Sequence, residues 1–425
     1  VKIGVIGSGG REYAIIKTLH TQNPEAEIHA FPGNAAMSEF AVIHPQITAM
    51  DLAGVREFCL LEKIDLCIVT PDDPLMAGMV DELEAAGIAC FGPRRAGALL
   101  EGSKSFAKAF MARHHIPTAA YESFTDFSAA LEYVQNAQYP LVIKADGLAL
   151  GKGVTIVENK AAAETTLREF MLEQKFGAAS SQVVIEEFLT GPEISVLTFC
   201  DGKTIKPMLS AMDHKRVFDF DNGPNTGGMG VIAPNPWFTA EVAREFETKI
   251  MQPTLAGLRA DACDFRGCLY FGLMLTDTGL KVIEYNARFG DPETQALLPL
   301  LESNLLEIFQ AVSRQELRTA EVKFTDLHCA CIVLAAAGYP ENPEKGKEID
   351  YAPEVAKNLI FAGVKRSAAG KLITNGGRVL NVLGTGKTLP EAISQAYQNV
   401  AKVEFANCHF RTDIGAKALG IEEEK

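Results

Sequence analysis

Residues 141–157 read LVIKADGLALGKGVTIV. Two short runs rich in β-branched residues, Leu141–Lys144 and Val154–Val157, flank a stretch of small residues, which predicts two strands joined by a glycine loop. The spacing of Gly147 and Gly151 fails the P-loop rule, and Gly153 stands where a Ser or Thr belongs. The loop still suits a polyphosphate. Its glycines let the backbone approach phosphate oxygens, and Lys144 and Lys152 supply compensating charge.

Outward from this loop the texture is α+β with antiparallel sheets. Strands are expected at Val183–Glu187, Glu193–Cys200, Leu269–Thr276 and Lys281–Tyr285, with turns at Asp201-Gly202 and Asp277-Thr278-Gly279. Longer helices are expected at Ala161–Lys175 and Thr239–Arg259. Upstream, the first hundred residues alternate strand and helix: Lys2–Ile6, a Gly7–Gly10 turn, a helix from Arg11 to His20, then strands Ile28–Phe31 and Leu66–Val69. Asp73 as N-cap and Pro74 at N1 predict one helix whose apolar face is Leu75, Met76, Met79, Val80, Leu83 and Ala86. Gly87 ends it, and Ile88–Phe91 is strand again, giving a βαβ unit and a small parallel sheet. From His328 a third unit begins, with strands Cys329–Ala335 and Val379–Leu383, a turn at Asn375-Gly376-Gly377 and a helix from Pro390 to Val400.

The 425 residues suit roughly three domains at about 150 residues each. Forty Lys+Arg against 54 Asp+Glu leave a net charge of −14, which repels phosphate backbones, and no basic patch overrides it. Nucleic acid is therefore not an expected partner. No apolar run approaches the ~20 residues of a membrane helix, and the start at Val1-Lys2 gives no signal-peptide core. Nine cysteines without a C-x-x-C, several inside apolar segments, predict reduced structural thiols in a cytoplasmic protein.

Two further glycine motifs invite a nucleotide reading. Gly7-Ser-Gly9-Gly10-Arg11 lies between strand and helix, where amides and the helix dipole favour an anion. Glu12 occupies the third glycine position of a dinucleotide fingerprint, and no acidic ribose reader follows the second strand. A phosphate on a smaller sugar fits better; the plain alternative is a turn and nothing more. Gly384-Thr-Gly386-Lys387-Thr388 resembles the end of a P-loop, but Asn381 stands where Gly is required. A loop with an exposed lysine is expected there.

Val282-Ile-Glu284-Tyr-Asn286-Ala-Arg288 extends a strand, so Glu284, Asn286 and Arg288 should share one face and Ile283, Tyr285 and Ala287 the other. Two hard oxygen ligands beside a guanidinium suit Mg²⁺ bridging nucleotide phosphates, with the arginine near developing negative charge. A second glycine loop follows Asp213-His-Lys215-Arg216; it packs four Gly into residues 223–230. His214 is expected to hydrogen-bond within that loop, not to act as a base, and Trp237 to pack after Pro236.

Together these segments resemble the phosphoribosylamine–glycine ligase family of ATP-grasp enzymes. The resemblance runs over nearly the whole chain, through Gly7–Glu12, Pro32-Gly33-Asn34, Phe91-Gly92-Pro93, Glu101–Lys104, Lys144–Gly153, Glu186–Leu189, Asp213–Arg216, Gly223–Gly230, Asn286–Gln295, Asn375–Arg378 and Arg411–Gly415. Departures are Tyr13 for His, Ala36-Met37 for Gly-Thr, Thr70–Asp73, Leu150 for Ala, and Phe361 for His.

The resemblance implies a Rossmann-like N-terminal domain over 1–102, an ATP-grasp domain over 103–327 with a mobile lid near 120–190, and a small α+β domain over 328–425. By analogy Lys104 and Lys144 hold ATP phosphates, and Gly147, Gly151, Lys152 and Gly153 form the lid loop. Glu186, Phe188 and Leu189 frame the adenine, Glu193 takes the ribose hydroxyls, and Glu284 and Asn286 bind Mg²⁺ or Mn²⁺. Glycine falls to Asp213, Arg288 and Asp291, and phosphoribosylamine to Gly7, Gly9, Gly10, Arg11, Gly33 and Asn34. Asn225, Gly227 and Gly228 complete the substrate side, and Arg288, Lys144 and Asp213 carry the chemistry. The expected enzyme is a monomeric ligase of de novo purine synthesis with no further enzyme fused downstream. The rival readings are another ATP-grasp carboxylate–amine ligase, a nicotinamide-dependent oxidoreductase, and a binding module without catalysis.

Overall fold

The computed structural model describes residues 1–148 and 153–421. The chain opens with a five-stranded parallel sheet in the order Val42–Ile43, Glu27–Pro32, Lys2–Gly7, Leu66–Val69, Ala89–Phe91. Its strands are apolar nearly throughout because helices cover both faces. The single helix expected after Asp73 is instead two, Asp72–Ala77 and Met79–Ala85, and Pro71 is the N-cap. Gly78 at φ +91° explains the break, since a left-handed glycine ends a helix after its last turn. The apolar face survives: Leu75, Met79, Val80 and Leu83 are all buried.

The glycine-loop strands lie in a four-stranded antiparallel sheet ordered Tyr121–Phe124, Val183–Glu187, Leu141–Ala145, Val154–Val157. Helices Phe127–Asn136 and Lys160–Leu167 enclose a core of its own, built from Ala130, Val134, Ile143, Val157, Leu167, Phe170 and Ile185. Beyond Leu167 the expected α-helix widens to π-type spacing over Arg168–Leu172. The same widening interrupts the helix expected at 239–259, over Phe246–Met251, just before Pro253, which has no amide hydrogen to give.

The rest of the chain is organised by one eight-stranded antiparallel sheet. Its order is Gly279–Asn286, Gly267–Thr276, Glu193–Cys200, Ile205–Asp213, Gly230–Ala233, His328–Ala335, Arg378–Gly386, Leu359–Phe361. The strands after His328 therefore continue the sheet begun around Glu193. Gly384 and Gly386 lie where the last long strand presses on helix Leu389–Val400, and a side chain at Gly384 would meet the backbone of Ala396. Thr388 caps that helix, reciprocated by Glu391, so the P-loop lookalike is strand–helix packing. Two departures noted in sequence meet here: the Tyr13 and Phe361 rings pack edge to face, 5.8 Å apart at 68°. All nine cysteines are free thiols, and seven are buried. Among the described residues no helix is long and apolar enough to cross a membrane.

Candidate active site

Strand Gly279–Asn286 positions the metal-type residues, through a device that simple alternation does not anticipate. Its pairing with Gly267–Thr276 slips between Gly272, opposite Glu284, and Leu273, opposite Val282, leaving Ile283 unpaired. This bulge switches the core-facing set from Leu280 and Val282 to Tyr285 and Ala287. Glu284 and Asn286 thus share the opposite face, as expected, and the carbonyl of Ile283 is released to accept from Lys144 Nζ at 3.4 Å.

Four cations converge on Glu284. Burial alone would raise its pKa, but Lys215, Lys144, Lys104 and Arg288 outweigh it and hold the carboxyl below the ordinary range. Arg288 is fixed in turn: it pairs with Glu101 Oε1 at 2.7 Å and donates to Asn286 Oδ1 at 2.9 Å, while Glu101 Oε2 accepts from the Ala287 amide. An ionised carboxylate beside an amide oxygen is a donor set for a hard divalent cation. Among the described residues no three His, Cys, Asp or Glu gather into a metal cage. The fit is to an ion that takes its other ligands from phosphate and water.

Lys144 pairs across the small sheet with Glu186 Oε1, on the neighbouring strand, at 2.8 Å, and Lys108 meets Glu186 Oε2 at 2.9 Å. Burial brings Lys108 down to about 8. Lys104 opens helix Lys104–Arg113 and donates to the Gly147 carbonyl at 2.8 Å. Asp146 fastens the loop base to the same helix start, accepting from the Ser105 amide at 2.5 Å. Gly147 has no room for a side chain, because a Cβ would stand 2.5 Å from that of Ala179. Gly153 follows the undescribed stretch; Gly151 and Lys152 lie outside the described residues. Phe188 is exposed and Leu189 half-buried at the end of strand Val183–Glu187. Glu193 pairs with Lys215 Nζ at 2.6 Å.

On the substrate side, Asp213 Oδ1 is buried without a hydrogen-bond partner among the described residues. Burial and the nearby Glu293 push its pKa well up, against Lys215 and Arg378. Gly228, at φ +110°, packs on this carboxylate: a Cβ there would stand 2.7 Å from Oδ1 and 2.5 Å from Pro292. Asn225 pairs with Arg216 across a short hairpin, and the Gly227 carbonyl accepts from Arg378, which also donates to the Asp291 carbonyl at 2.7 Å. Arg378 and Arg11 hold the Asp291 carboxyl below its usual range despite burial. His214 is neutral in the loop. Its Nδ1 donates to the Gly230 carbonyl at 3.1 Å, and its Nε2 accepts from the Gly415 amide at 3.0 Å.

At Gly7–Arg11 a carboxylate already occupies the helix start. Glu12 accepts from the Gly9 amide at 2.7 Å, from Arg11 Nε at 2.6 Å and from Thr70 Oγ1 at 2.6 Å. Asn34 is engaged at both ends, accepting from Ala36 and Met37 amides and donating to the Ser8 carbonyl. Gly33, at φ +71°, makes the turn before it. Gly10 has no room for a side chain: a Cβ there would stand 2.7 Å from Gln295 Nε2 and 2.8 Å from Asn381 Nδ2.

Comparison with known proteins matches three family models in succession: the N domain of phosphoribosylglycinamide synthetase over residues 1–101, its ATP-grasp (A) domain over 102–294 and its C domain over 329–417. The chain belongs to the phosphoribosylglycinamide synthetase family. Among its relatives, the phosphoribosylamine–glycine ligase of Listeria monocytogenes is 45% identical, covering 97% of this chain and 99% of that one. The ligase of Caldanaerobacter subterraneus is 41% identical over 98% and 100%. The crystal structure of the Thermotoga maritima ligase superposes with a TM-score of 0.85 at 35% identity, covering 97% of this chain and all of that one. The biotin carboxylase domain of Hydrogenobacter thermophilus 2-oxoglutarate carboxylase, at 16% identity and TM-score 0.76 over 96% of this chain and 91% of that one, shares the fold.

Within this synthetase frame, Lys108 went unread in the sequence, and Glu101, Lys215, Glu293 and Arg378 were quoted there only inside motifs, without a role. Glu293 accepts from Tyr270 OH at 2.7 Å, and Tyr270 bonds Ser195 Oγ at 2.8 Å. One signal was present for Lys108. It follows Lys104 by one helical turn on the same face, where two like charges repel unless an anion lies between them.

Proposed function

We propose that this chain is a phosphoribosylamine–glycine ligase, converting ATP, glycine and 5-phosphoribosylamine to ADP, phosphate and glycinamide ribonucleotide. The observation that carries the reading is the convergence of Lys104, Lys144, Lys215 and Arg288 on Glu284, next to the buried Asp213. A carboxylate is a poor electrophile, so glycine must first be activated: its carboxylate attacks the γ-phosphorus, ADP leaves, and glycyl phosphate forms. The amine of phosphoribosylamine then attacks the acyl carbon and expels phosphate. Positioning and charge stabilisation supply most of the rate in such transfers.

In this reading Lys104 and Lys144 hold phosphates, with Gly147, Gly151, Lys152 and Gly153 closing above them to keep water from the acyl phosphate. Glu186, Phe188 and Leu189 frame the base, and Glu193 takes the ribose hydroxyls once Lys215 yields it. Glu284 and Asn286 would hold Mg²⁺ or Mn²⁺, which would offset phosphate charge. Arg288, kept in place by Glu101, faces the transferring group. Asp213 and Asp291 orient glycine, with Asn225, Gly227 and Gly228 shaping the wall. Gly7, Gly9, Gly10, Arg11, Gly33 and Asn34 line the phosphoribosylamine side, where Glu12 and Asn34 act as scaffolding. Three units at 1–102, 103–327 and 328–425, with a lid near 120–190, and a monomer working in the cytoplasm, complete the proposal; nine free thiols suit a reducing compartment.

The test is ADP release on mixing ATP, glycine and freshly made phosphoribosylamine. Release that requires all three is expected. Release indifferent to phosphoribosylamine would point to a different carboxylate–amine ligase.

A further inference from the structure

Glu186 is 3% exposed, Lys108 2% and Lys144 4%, so one carboxylate is buried between two ammonium groups. The Lys108 ammonium has no freedom to reach a ligand. Besides Glu186 it donates to Thr118 Oγ1 at 2.8 Å and lies 5.6 Å from the Tyr121 ring centre. Thr118 in turn donates to the Val282 carbonyl at 2.6 Å, beside the bulge that presents Ile283 to Lys144. Among the described residues, Lys144 is held by Glu186 and by one long hydrogen bond to that bulge.

Charge arithmetic decides what this arrangement does. Two ammoniums and one carboxylate leave a single net positive charge, and the pinned Lys108 leaves it on Lys144. Without Lys108, Glu186 and Lys144 would form a neutral buried pair. A phosphate would then have to compete with Glu186 for Lys144, and a buried carboxylate stripped of its partner is strongly unfavourable. We propose that Lys108 is a positioning residue for the nucleotide: it neutralises Glu186, so that the charge of Lys144 is available to a phosphate. This rests on the reading above in one respect, that Lys144 meets the ATP phosphates.

The experiment is a two-residue cycle read by ATP binding and steady-state kinetics, with thermal melts to establish folding. Lys108→Met should weaken ATP binding and raise its KM by roughly 10²-fold, while kcat at saturating ATP changes little. Adding Glu186→Gln to Lys108→Met should restore much of the lost affinity, because no carboxylate remains to neutralise Lys144 while the glutamine keeps the size of the side chain that frames the base. A purely structural lysine would give additive losses in the double variant, and that result would overturn the proposal. So would wild-type ATP affinity in Lys108→Met. Should Lys108→Met fail to fold, the double variant and Lys108→Arg carry the test: Arg keeps the charge and should keep ATP affinity within a few-fold. Lys144→Met separates this from the underlying reading. If that change leaves ATP binding intact, the phosphate role of Lys144 fails first.

Discussion

The four-stranded sheet around Leu141–Ala145 and the eight-stranded sheet are packed on different principles. Every buried residue in the small unit's core comes from residues 130–185. The core under the long sheet joins Ile3 to Ile414, mixing distant parts of the chain in one cluster. Between the two, the links at the site are polar: Lys144 to the Ile283 carbonyl, Lys104 to the Gly147 carbonyl, and Lys281 to Glu187 at 2.8 Å. A unit with a private core and polar fastenings can tilt without exposing much apolar surface. A sheet stitched from the whole chain cannot. The proposed lid sits on the first kind of structure, and Glu284, Asp213 and Arg378 on the second.

That contrast can be broken most directly from inside the small unit. Ile185→Ala should cost about 2–5 kcal/mol, and the loss should appear in hydrogen exchange only at residues such as 141–145 and 183–187. Equal loss of protection at Glu193–Cys200 and His328–Ala335 would mean the two sheets unfold as one. On the rigid side, Arg288→Ala should lower kcat by roughly 10²–10³, the usual loss of one donor to developing charge. Because Glu101 fixes this arginine, Glu101→Gln should show a milder fall, and a near-normal kcat in Arg288→Ala would remove the residue from the chemistry. The smallest effect concerns His214, whose pKa burial and the Arg411 charge bring down to about 4. The unfolded chain then takes up a proton that the folded one refuses. Stability from this group is complete above pH 6.5 and declines as pH falls toward 4, by about 1.4 kcal/mol per unit. His214→Gln should flatten that part of the pH–stability curve, and an unchanged slope would mean the histidine is not buried neutral.

Much of this was legible in the chain itself. Strands Val154–Val157, Val183–Glu187 and Glu193–Cys200 have the bounds their β-branched runs predict, and Lys144 lies near the end of strand Leu141–Ala145. Ile205–Asp213 was hidden by Pro207, which sits where the ladder register slips. Gly230–Ala233 is four residues long and reads as the tail of a glycine loop. Local pattern could place Glu284 and Asn286 on one face but not foresee the bulge, because a register slip is decided by the neighbouring strand. Glu101 and Arg378 belong to remote segments, and only the assembled sheet brings them to Arg288 and Asp291. Glu12 was read as a spoiled glycine position; its actual part, closing the helix start against Gly9 and Arg11, depends on Thr70, just past the end of strand Leu66–Val69.

The uninterrupted long sheet has a practical consequence. Cutting the polypeptide near residue 328 would strip Gly230–Ala233 of its partner His328–Ala335 and leave a row of bare amides and carbonyls on each fragment. Neither piece should be soluble when expressed alone, though the two made together could find each other through that shared seam.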